Sequence, residues 1–400
     1  MTKKRILFAG YAPVHFVCFE PVYRLLRDDP QLEVWLSGGF KAAHHGEVMF
    51  SLEGFYDRFE VDPARVIPFE EAREEDFDVL VCGHLSDSLF PRSVGRSVQI
   101  FHGVSFKNRC VREQALRYDM LCLPGRYHAE MYRKRRLIRT GGSRCLVTGF
   151  PKADALVTEP IDREAFLRDL GMDPSRKTLL YAPTGDKHNS LETIGENSVA
   201  AIREAGQWNL LIKLHDHPKN APLDWIAQLA HLQDETVRLV HGWNIVPYLQ
   251  VADLLLTDAS SAAVEYTLLD RPIVFLEVPT LLNKMARKGG ALDIETYGQK
   301  IGVCVGKRDD VVQAVAESLA APAQYHEIRQ RMANHVFHEP GSASARVAAA
   351  STLAMPNGLT SRTIPRQARK PCSGCGRCSR ISSHNAAVDG PIKAASLRMR

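Results

Sequence analysis

Two serines and a glutamate near the middle of the chain form the pattern best suited to binding a nucleotide. The apolar run 254–257 stops at Asp258, itself a candidate for contact with the nucleotide, and Ser260 and Ser261 then begin a predicted helix. The first turn of a helix offers backbone N–H groups and a positive dipole end to a phosphate. Glu265 lies one turn further on, where a carboxylate can accept hydrogen bonds from ribose hydroxyls. The alternative is an N-cap serine followed by a surface glutamate.

A second group of polar residues follows other apolar runs in the same half of the chain. Lys213 and His215 end one run, Thr184 lies in a Pro/Gly loop after another, and His241 begins a His-Gly pair after a third. Together they suit an anionic group of the same ligand. The alternative is a metal site at His215 and His217, but the segment offers no evident third ligand. We therefore expect no metal.

His102 is the candidate general base. It follows the apolar run 98–101 directly and precedes Gly103, so its imidazole is predicted to project from the end of a strand. Imidazole titrates near neutral pH and can take a proton from a hydroxyl group. A purely structural histidine is the alternative.

The elements that must position these residues are short apolar runs alternating with helix-length amphipathic stretches. That rhythm is typical of βαβ units around a parallel sheet. The predicted strands of the first half are Arg5–Ala9, Leu32–Leu36, Asp78–Cys82, Val98–Phe101, Met120–Leu123 and Cys145–Thr148. Those of the second half are Thr178–Ala182, Leu210–Lys213, Val237–Val240, Asp253–Thr257, Pro272–Leu276 and Gly302–Val305. Helices are expected at Phe19–Leu26, Tyr127–Leu137, Asp309–Leu319 and Gln324–Val336.

The pattern predicts an α/β protein with two Rossmann-like domains, residues 1–157 on the acceptor side and 158–336 on the nucleotide side. A C-terminal helix within 337–355 is expected to follow and to pack back on the first domain. Ligands of open α/β sheets bind outside the carboxyl ends of the strands. The candidate residues are therefore predicted to meet in a cleft between the two domains.

Composition places the chain among folded proteins with a basic tail. Lys and Arg number 51 and Asp and Glu 46, so the net charge is 51 − 46 = +5. Residues 357–400 alone carry nine basic residues and one acid, and segment 356–400 is predicted to be disordered. Composition excludes collagen-like and disulfide-scaffold proteins. The tail's Cys372, Cys375 and Cys378 could hold zinc or an iron–sulfur cluster but are more simply incidental thiols.

The segment 107–144 is strongly basic, with eleven Lys and Arg against three acids. It includes the run Arg133, Lys134, Arg135 and Arg136. Aromatic and aliphatic residues interleave with the charges, so we predict a basic amphipathic helix that contacts an anionic membrane or a polyanionic acceptor. A solvated helix face is the alternative. No apolar run is long enough to span a bilayer or to form a signal peptide, so a cytoplasmic location is expected.

The motifs resemble the CDP-glycerol glycerophosphotransferases of teichoic-acid and capsule synthesis, which have a GT-B fold. The similar segments are 99–107, Tyr181-Ala-Pro-Thr184, Lys213-Leu-His215 and Thr257-Asp-Ala-Ser-Ser-Ala-Ala-Val-Glu265. The resemblance implies that His102 is a general base and that His215 steadies the donor pyrophosphate. It implies that Ser260 and Ser261 bind phosphate and that Glu265 binds ribose. The chain departs from the family at 102–107, where a Thr-Pro-Leu triplet is usual, and at 213–218.

The function expected from residues and resemblance together is transfer of a polyol-phosphate unit from a CDP-linked donor to an acceptor hydroxyl. The acceptor would be lipid-linked or polyanionic; no cofactor and no nucleic-acid partner are expected. Two alternatives stay open within enzymes, a nucleotide-sugar glycosyltransferase and a UDP-N-acetylglucosamine 2-epimerase-like enzyme. A non-catalytic nucleotide-binding protein is an alternative of another class.

Overall fold

The first half of the chain forms one parallel sheet. The computed structural model describes residues 3–44, 47–86, 89–138, 144–215, 224–287, 292–353 and 362–363. The strands of this half are β1 (Lys4–Gly10), β2 (Leu32–Gly38), β3 (Phe40–His44), β4 (Glu47–Ser51), β5 (Asp76–Cys82), β6 (Ser93–Ile100), β7 (Met120–Leu123) and β8 (Cys145–Val147). The helices are α1 (Pro13–Leu26), α2 (Phe69–Ala72), α3 (Arg126–Lys134) and α4 (Pro151–Thr158).

The second half forms a second parallel sheet. Its strands are β9 (Thr178–Ala182), β10 (Asn209–Ile212), β11 (Val237–Leu239), β12 (Leu254–Thr257), β13 (Ile273–Leu276) and β14 (Val303–Val305). Its helices are α5 (Arg163–Asp169), α6 (Glu196–Ala205), α7 (Trp225–Leu229), α8 (Val246–Val251), α9 (Ala262–Tyr266), α10 (Pro279–Arg287), α11 (Val311–Ala320) and α12 (His326–Val336). A last helix, α13 (Ala343–Leu353), and a two-residue strand, β15 (Arg362–Thr363), complete the described elements.

In each sheet the chain adds strands first on one side of its starting strand and then on the other. The first runs β2-β1-β5-β6-β7-β8 and the second β11-β10-β9-β12-β13-β14, and all neighbours within these two orders are parallel. The short strand β15 pairs antiparallel with β6 as a seventh strand of the first sheet. The order reverses between β1 and β5 in one sheet and between β9 and β12 in the other. Loops diverge at such a switch point and leave a crevice at the carboxyl ends of the strands. The candidate loops follow β1, β6, β9 and β12, on both sides of these reversals.

The predicted fold class is confirmed, and every predicted strand is present with ends shifted by a few residues. The central strands of the second sheet, β9, β10, β12 and β13, are buried along their whole length, which is why they read as continuous apolar runs instead of alternating ones. The hairpin of β3 and β4 was not predicted. It is antiparallel and lies outside both sheets, so the βαβ rhythm gives no sign of it. The predicted disordered tail and its cysteines lie outside the described residues. No helix of the described part has the length and apolarity to cross a bilayer; the cytoplasmic location stays a prediction.

Helix α13 returns to the first half of the chain and packs against α1 and α4. Asp154 of α4 holds its start. One carboxylate oxygen of Asp154 accepts from the backbone N–H groups of Gly341 (2.7 Å) and Ala343 (3.1 Å). The other accepts from the N–H and hydroxyl of Ser344, both at 2.7 Å. This buried carboxylate therefore caps a helix almost two hundred positions away in sequence.

Replacing Asp154 with Ala should lower the free energy of unfolding by about 2–3 kcal/mol, because it strands several buried N–H donors at the start of α13. Urea denaturation measures the change. The matched control is Asp169→Ala, at an exposed position near the end of α5, which should change stability by no more than about 0.5 kcal/mol. Equal effects of the two substitutions would contradict the capping role.

Candidate functional site

A cavity of about 290 Å³ lies between the carboxyl ends of the two sheets. We call it the central cavity. Its walls are the loops that follow β1 and β6 on one side and those that follow β9, β10 and β12 on the other. Of the predicted site residues it is lined by His102, Thr184, Lys213, His215, Ser260, Ser261 and Glu265. The cleft predicted from the sequence therefore exists, and it brings most of the predicted residues together.

The His102 side chain is exposed and lines the central cavity immediately after β6. Its Nδ1 makes a short contact with the backbone carbonyl of Gly83. A carbonyl only accepts, so Nδ1 must carry the proton, and the neutral ring then has its lone pair on Nε2. The backbone thus fixes the tautomer a general base needs.

Three other rings support the His102 imidazole. The ring of His15 lies 4.7 Å from it, centroid to centroid, and Tyr11 and His84 pack against His15 at 4.6 and 5.4 Å. His84 is fully buried, and burial together with the nearby His102 lowers its pKa to about 3. His84 is therefore neutral at physiological pH. The sequence did not mark His84, because its role depends on which loops meet at the sheet edge.

Ser260 and Ser261 lie opposite His102, as predicted. A β-carbon built on Gly103 would stand 3.9 Å from the Cβ of Ser261, so the loop of the predicted base and the predicted phosphate site touch. Ser260 Oγ accepts the N–H of Ala262 at 3.3 Å. Helix α9 is only five residues long before it continues into a 3-10 turn. Because the dipole of so short a helix is small, the backbone N–H groups and hydroxyls matter more than the sequence suggested.

Glu265 also lines the cavity, but it is fully buried and has a partner that the sequence did not indicate. The Nζ of Lys152, at the start of α4, lies 2.7 Å from Glu265 Oε2. Lys152 itself is buried and lines the same cavity. The predicted ribose carboxylate is therefore held by a cation from the other half of the chain.

The predicted anion-binding residues of the second sheet form one wall. Lys213 is buried and donates to the Leu214 carbonyl at 2.9 Å. The His215 imidazole packs closely against Gly185, where an added β-carbon would lie 2.8 Å from His215 Cγ. A side chain at 185 would therefore displace the imidazole. Residue His217 of the alternative metal site lies outside the described residues.

A buried ion pair at the wall of the central cavity joins the two halves. Lys107 Nζ donates to Thr184 Oγ1 at 2.7 Å and to Asp186 Oδ2 at 2.9 Å, and Arg109 contacts the other Asp186 oxygen at 2.5 Å. Burial lowers the pKa of Lys107, while the Asp186 charge opposes that shift. We call Lys107, Arg109, Thr184 and Asp186 the cleft latch. Sequence reasoning passed over Lys107 and Asp186, which are separated by 79 positions.

Asp258, predicted to contact the donor, lies behind the wall. It is fully buried, and its oxygens accept from the N–H of Thr184 (2.8 Å) and from the N–H and hydroxyl of Ser190 (both 2.9 Å). Burial raises its pKa, and the hydrogen bonds from Ser190 and Thr184 oppose the rise. These contacts correct the prediction: Asp258 positions the Thr184 loop, because its position at the strand end turns its carboxylate inward.

A second cavity of about 420 Å³ adjoins the first, and we call it the side cavity. Both are lined by Thr184, His215 and Trp243. His241 lines the side cavity alone, so it lies beside the central cavity and not in it. The guanidinium of Arg58, from the first half, lies 5.6 Å from the ring of Trp243. Much of the lining is apolar, including Trp225, Ile226 and Leu239.

The predicted basic run is exposed, as expected, at the end of α3 and just beyond it: Arg133, Lys134, Arg135 and Arg136. The interleaved apolar residues are not a lipid-facing surface. Tyr127, Met131 and Tyr132 are buried in the protein's own core. The prediction of an amphipathic membrane helix is corrected accordingly, because the apolar face of α3 is already covered. Only the charges face outward.

No group of three or more His, Cys, Asp or Glu side chains is placed to hold a metal ion in the described part of the chain. Reaction without a metal or other cofactor stays a prediction.

Comparison with known proteins places the chain near enzymes of teichoic-acid synthesis. Residues 92–350 match the family described as CDP-glycerol:poly(glycerophosphate) glycerophosphotransferase. A teichoic acid poly(glycerol phosphate) polymerase of Staphylococcus epidermidis is 27% identical over 180 residues, which are 42% of this chain and 24% of that protein. The chain thus spans about a quarter of the length of that curated relative.

Solved structures agree on the fold. A substituted variant of the wall teichoic acid polymerase TagF superposes with a TM-score of 0.63 at 15% identity, covering 88% of this chain and 89% of that one. A variant of TagF soaked with CDPG gives a TM-score of 0.62 at 15% identity, over 88% of each chain. A UDP-N-acetylglucosamine 2-epimerase gives 0.55 at 14% identity, over 88% and 96%. The predicted GT-B fold and the predicted family resemblance are both confirmed.

Replacing Lys107 with Met should lower the free energy of unfolding by about 3 kcal/mol, because Asp186 then keeps a buried charge with only half its ion pairing. Urea denaturation measures the loss. Arg109→Gln removes the other cation, whose side chain is 40% exposed, and should cost at most about 1 kcal/mol. Equal losses from the two substitutions would contradict the view that most of the stabilisation by the cleft latch comes from the buried Lys107–Asp186 pair.

Proposed function

The chain belongs to the CDP-glycerol:poly(glycerophosphate) glycerophosphotransferase family, and we propose that it transfers a glycerol-phosphate or related polyol-phosphate unit from a CDP-linked donor to an acceptor hydroxyl. The product would be a cell-surface polymer. One observation carries the proposal: a loop with a base-competent imidazole from one sheet touches a serine loop suited to phosphate from the other.

His102 acts on the acceptor as the general base. Its Nε2 takes the proton of the acceptor hydroxyl as the oxygen attacks the β-phosphorus of the donor. A new P–O bond forms to the acceptor, the bridging P–O bond breaks, and CMP leaves with the electron pair. Because Nδ1 already donates to Gly83, the ring needs no rotation or tautomer change to act as a base.

The donor side supplies positive charge. The central cavity is lined by four cationic side chains, Lys107, Arg109, Lys152 and Lys213, and by two carboxylates, Asp186 and Glu265. Four minus two leaves a formal charge of +2 before any histidine is counted, which suits a diphosphate. Preorganised donors aimed at the charge that develops on a leaving phosphate stabilise the transition state. We assign that role to the Ser260–Ser261 turn with Lys213 and His215.

The nucleoside would occupy the adjoining space. The side cavity offers apolar and aromatic walls for a base, with the Trp243 ring at the junction of the two cavities and His241 at the edge. Thr184 lies on the wall common to both cavities, where a diphosphate would pass. Glu265 would accept hydrogen bonds from the ribose hydroxyls.

The carboxylates favour transfer over the epimerase alternative. Epimerisation would need a carboxylate available for acid–base chemistry at a sugar carbon. Among the described residues lining the central cavity, both carboxylates already pair with cations, Asp186 with Lys107 and Arg109, and Glu265 with Lys152.

Replacing His102 with Asn should slow CMP release from CDP-glycerol roughly 10²–10⁴-fold, because Asn can still donate to the Gly83 carbonyl but offers no base at the Nε2 position. The assay supplies CDP-glycerol, CDP-ribitol or UDP-N-acetylglucosamine with an acceptor and measures CMP and UDP. We expect CMP from a CDP-linked donor and no UDP.

The control is His231→Asn, at an exposed histidine that lines neither cavity, which should leave the rate unchanged. Near-normal turnover by His102→Asn would remove His102 from the mechanism. UDP release from the sugar donor, with no CMP from the CDP-linked donors, would replace the proposal by the glycosyltransferase alternative.

We further propose that Arg133, Lys134, Arg135 and Arg136 bind an anionic partner, either an anionic membrane surface or a polyanionic acceptor. Their exposure and the coverage of the apolar face of α3 support contact through charge alone. A basic side chain near an anionic bilayer contributes about 1 kcal/mol. Both partners would present phosphodiester groups to these four side chains.

Replacing these four residues with Gln should abolish flotation with phosphatidylglycerol vesicles at low salt, while neither protein floats with phosphatidylcholine. A parallel titration with soluble poly(glycerol phosphate) separates the two partners, since retention of the polymer by wild type alone points to the acceptor. The proposal is wrong if the quadruple variant binds both anionic partners as tightly as wild type does.

A further inference from the structure

The buried ion pair of Lys152 and Glu265 is the most unusual polar contact of the central cavity. Lys152 Nζ and Glu265 Oε2 are 2.7 Å apart, and the two side chains are only 5% and 0% exposed. Lys152 is the second residue of α4, in the first half of the chain, and Glu265 lies in α9 of the second. Both line the cavity. The pair therefore joins the two walls at the place where a donor would bind.

The second oxygen of this carboxylate has no hydrogen-bond partner in the described part of the chain. Glu265 Oε1 is buried and makes no hydrogen bond to any described residue. A buried carboxylate oxygen left unsatisfied costs free energy, and native structures almost always supply such an atom with a donor. Because Glu265 lines a cavity, the missing donor can come from a ligand.

Burying this ion pair also costs the free energy of desolvating two charges. Two apolar side chains of similar size would often be as stable or more stable, since desolvation of both charges offsets their attraction. The neighbouring Cys18 adds no compensating charge, because burial raises its pKa to about 12 and the thiol stays neutral. Its Sγ instead donates weakly to the carbonyl of His102 at 3.6 Å. The pair therefore stands close to the predicted base.

We propose that Lys152 is a positioning residue for the donor: it holds the Glu265 carboxylate oriented so that Oε1 accepts a hydrogen bond from a ribose hydroxyl. The inference rests on the proposed function, which supplies the nucleotide. Lys152 gives specificity for ribose over deoxyribose through Glu265, without touching the sugar itself. Nothing in the sequence pairs residues 152 and 265, because the contact exists only once α4 and α9 meet at the cleft.

The test measures ribose preference, defined as the dissociation constant of 2′,3′-dideoxy-CDP divided by that of CDP, by isothermal titration calorimetry. Wild type should prefer CDP roughly tenfold to hundredfold, the range of a hydrogen bond to a charged group. Lys152→Met should reduce the preference to roughly threefold or less, as should Glu265→Gln. Lys152→Arg, which keeps the charge, should retain most of it.

A merely structural lysine would not change this ratio, since loss of stability weakens the binding of both ligands alike. If Lys152→Met folds poorly, the double variant Lys152→Met/Glu265→Gln removes both charges and should recover stability while showing no ribose preference. The matched control is Lys177→Met, which removes a lysine that is 64% exposed and paired with Asp253 and should keep the wild-type preference.

The outcomes separate this inference from the proposed function. An unchanged preference in Lys152→Met, with a reduced one in Glu265→Gln, overturns the role of Lys152 and leaves the donor proposal standing. A wild-type protein that binds CDP with no ribose preference overturns the inference as well. Failure of wild type to bind CDP at all overturns both.

Discussion

The cleft latch is the interaction on which the rest of the structure depends. The two walls of the central cavity come from different sheets, and none of the described strands belongs to both. Lys107 reaches from one sheet to Thr184 and Asp186 of the other with both hydrogen bonds shorter than 3 Å. Because this contact is buried, the charges hold each other tightly instead of exchanging partners with water. The position of this pair sets the distance between the His102 loop and the Ser260–Ser261 loop.

Each sheet contributes the chemistry that its strand ends can supply. The first delivers imidazoles, with His102 held by the Gly83 carbonyl and by the rings beneath it. The second delivers a serine turn, a lysine and a histidine suited to phosphate. The proposed transfer uses both walls, since His102, the predicted base, comes from the first and the serine turn suited to phosphate comes from the second. Placing both at the carboxyl ends of parallel strands lets them face each other without long loops.

The sequence predicts those site residues whose place depends only on their position directly after a strand. A residue directly after a buried strand must lie at the sheet edge, which is why His102 and Ser261 were found. Sequence reasoning missed what depends on the meeting of distant elements. Lys107 with Asp186 and Lys152 with Glu265 pair across the cleft, and no spacing along the chain records such contacts. Position after a strand does not fix the direction of the side chain. A carboxylate there can turn inward as readily as toward a ligand, and the Asp258 carboxylate turns inward.

The most direct test of the central claim is a crystal structure of the His102→Asn variant with CDP-glycerol bound. The account predicts that the diphosphate lies within hydrogen-bonding distance of the backbone at Ser260 and Ser261, with the β-phosphorus facing residue 102 across the central cavity. A diphosphate bound away from that turn, or a β-phosphorus that faces away from residue 102, would contradict it.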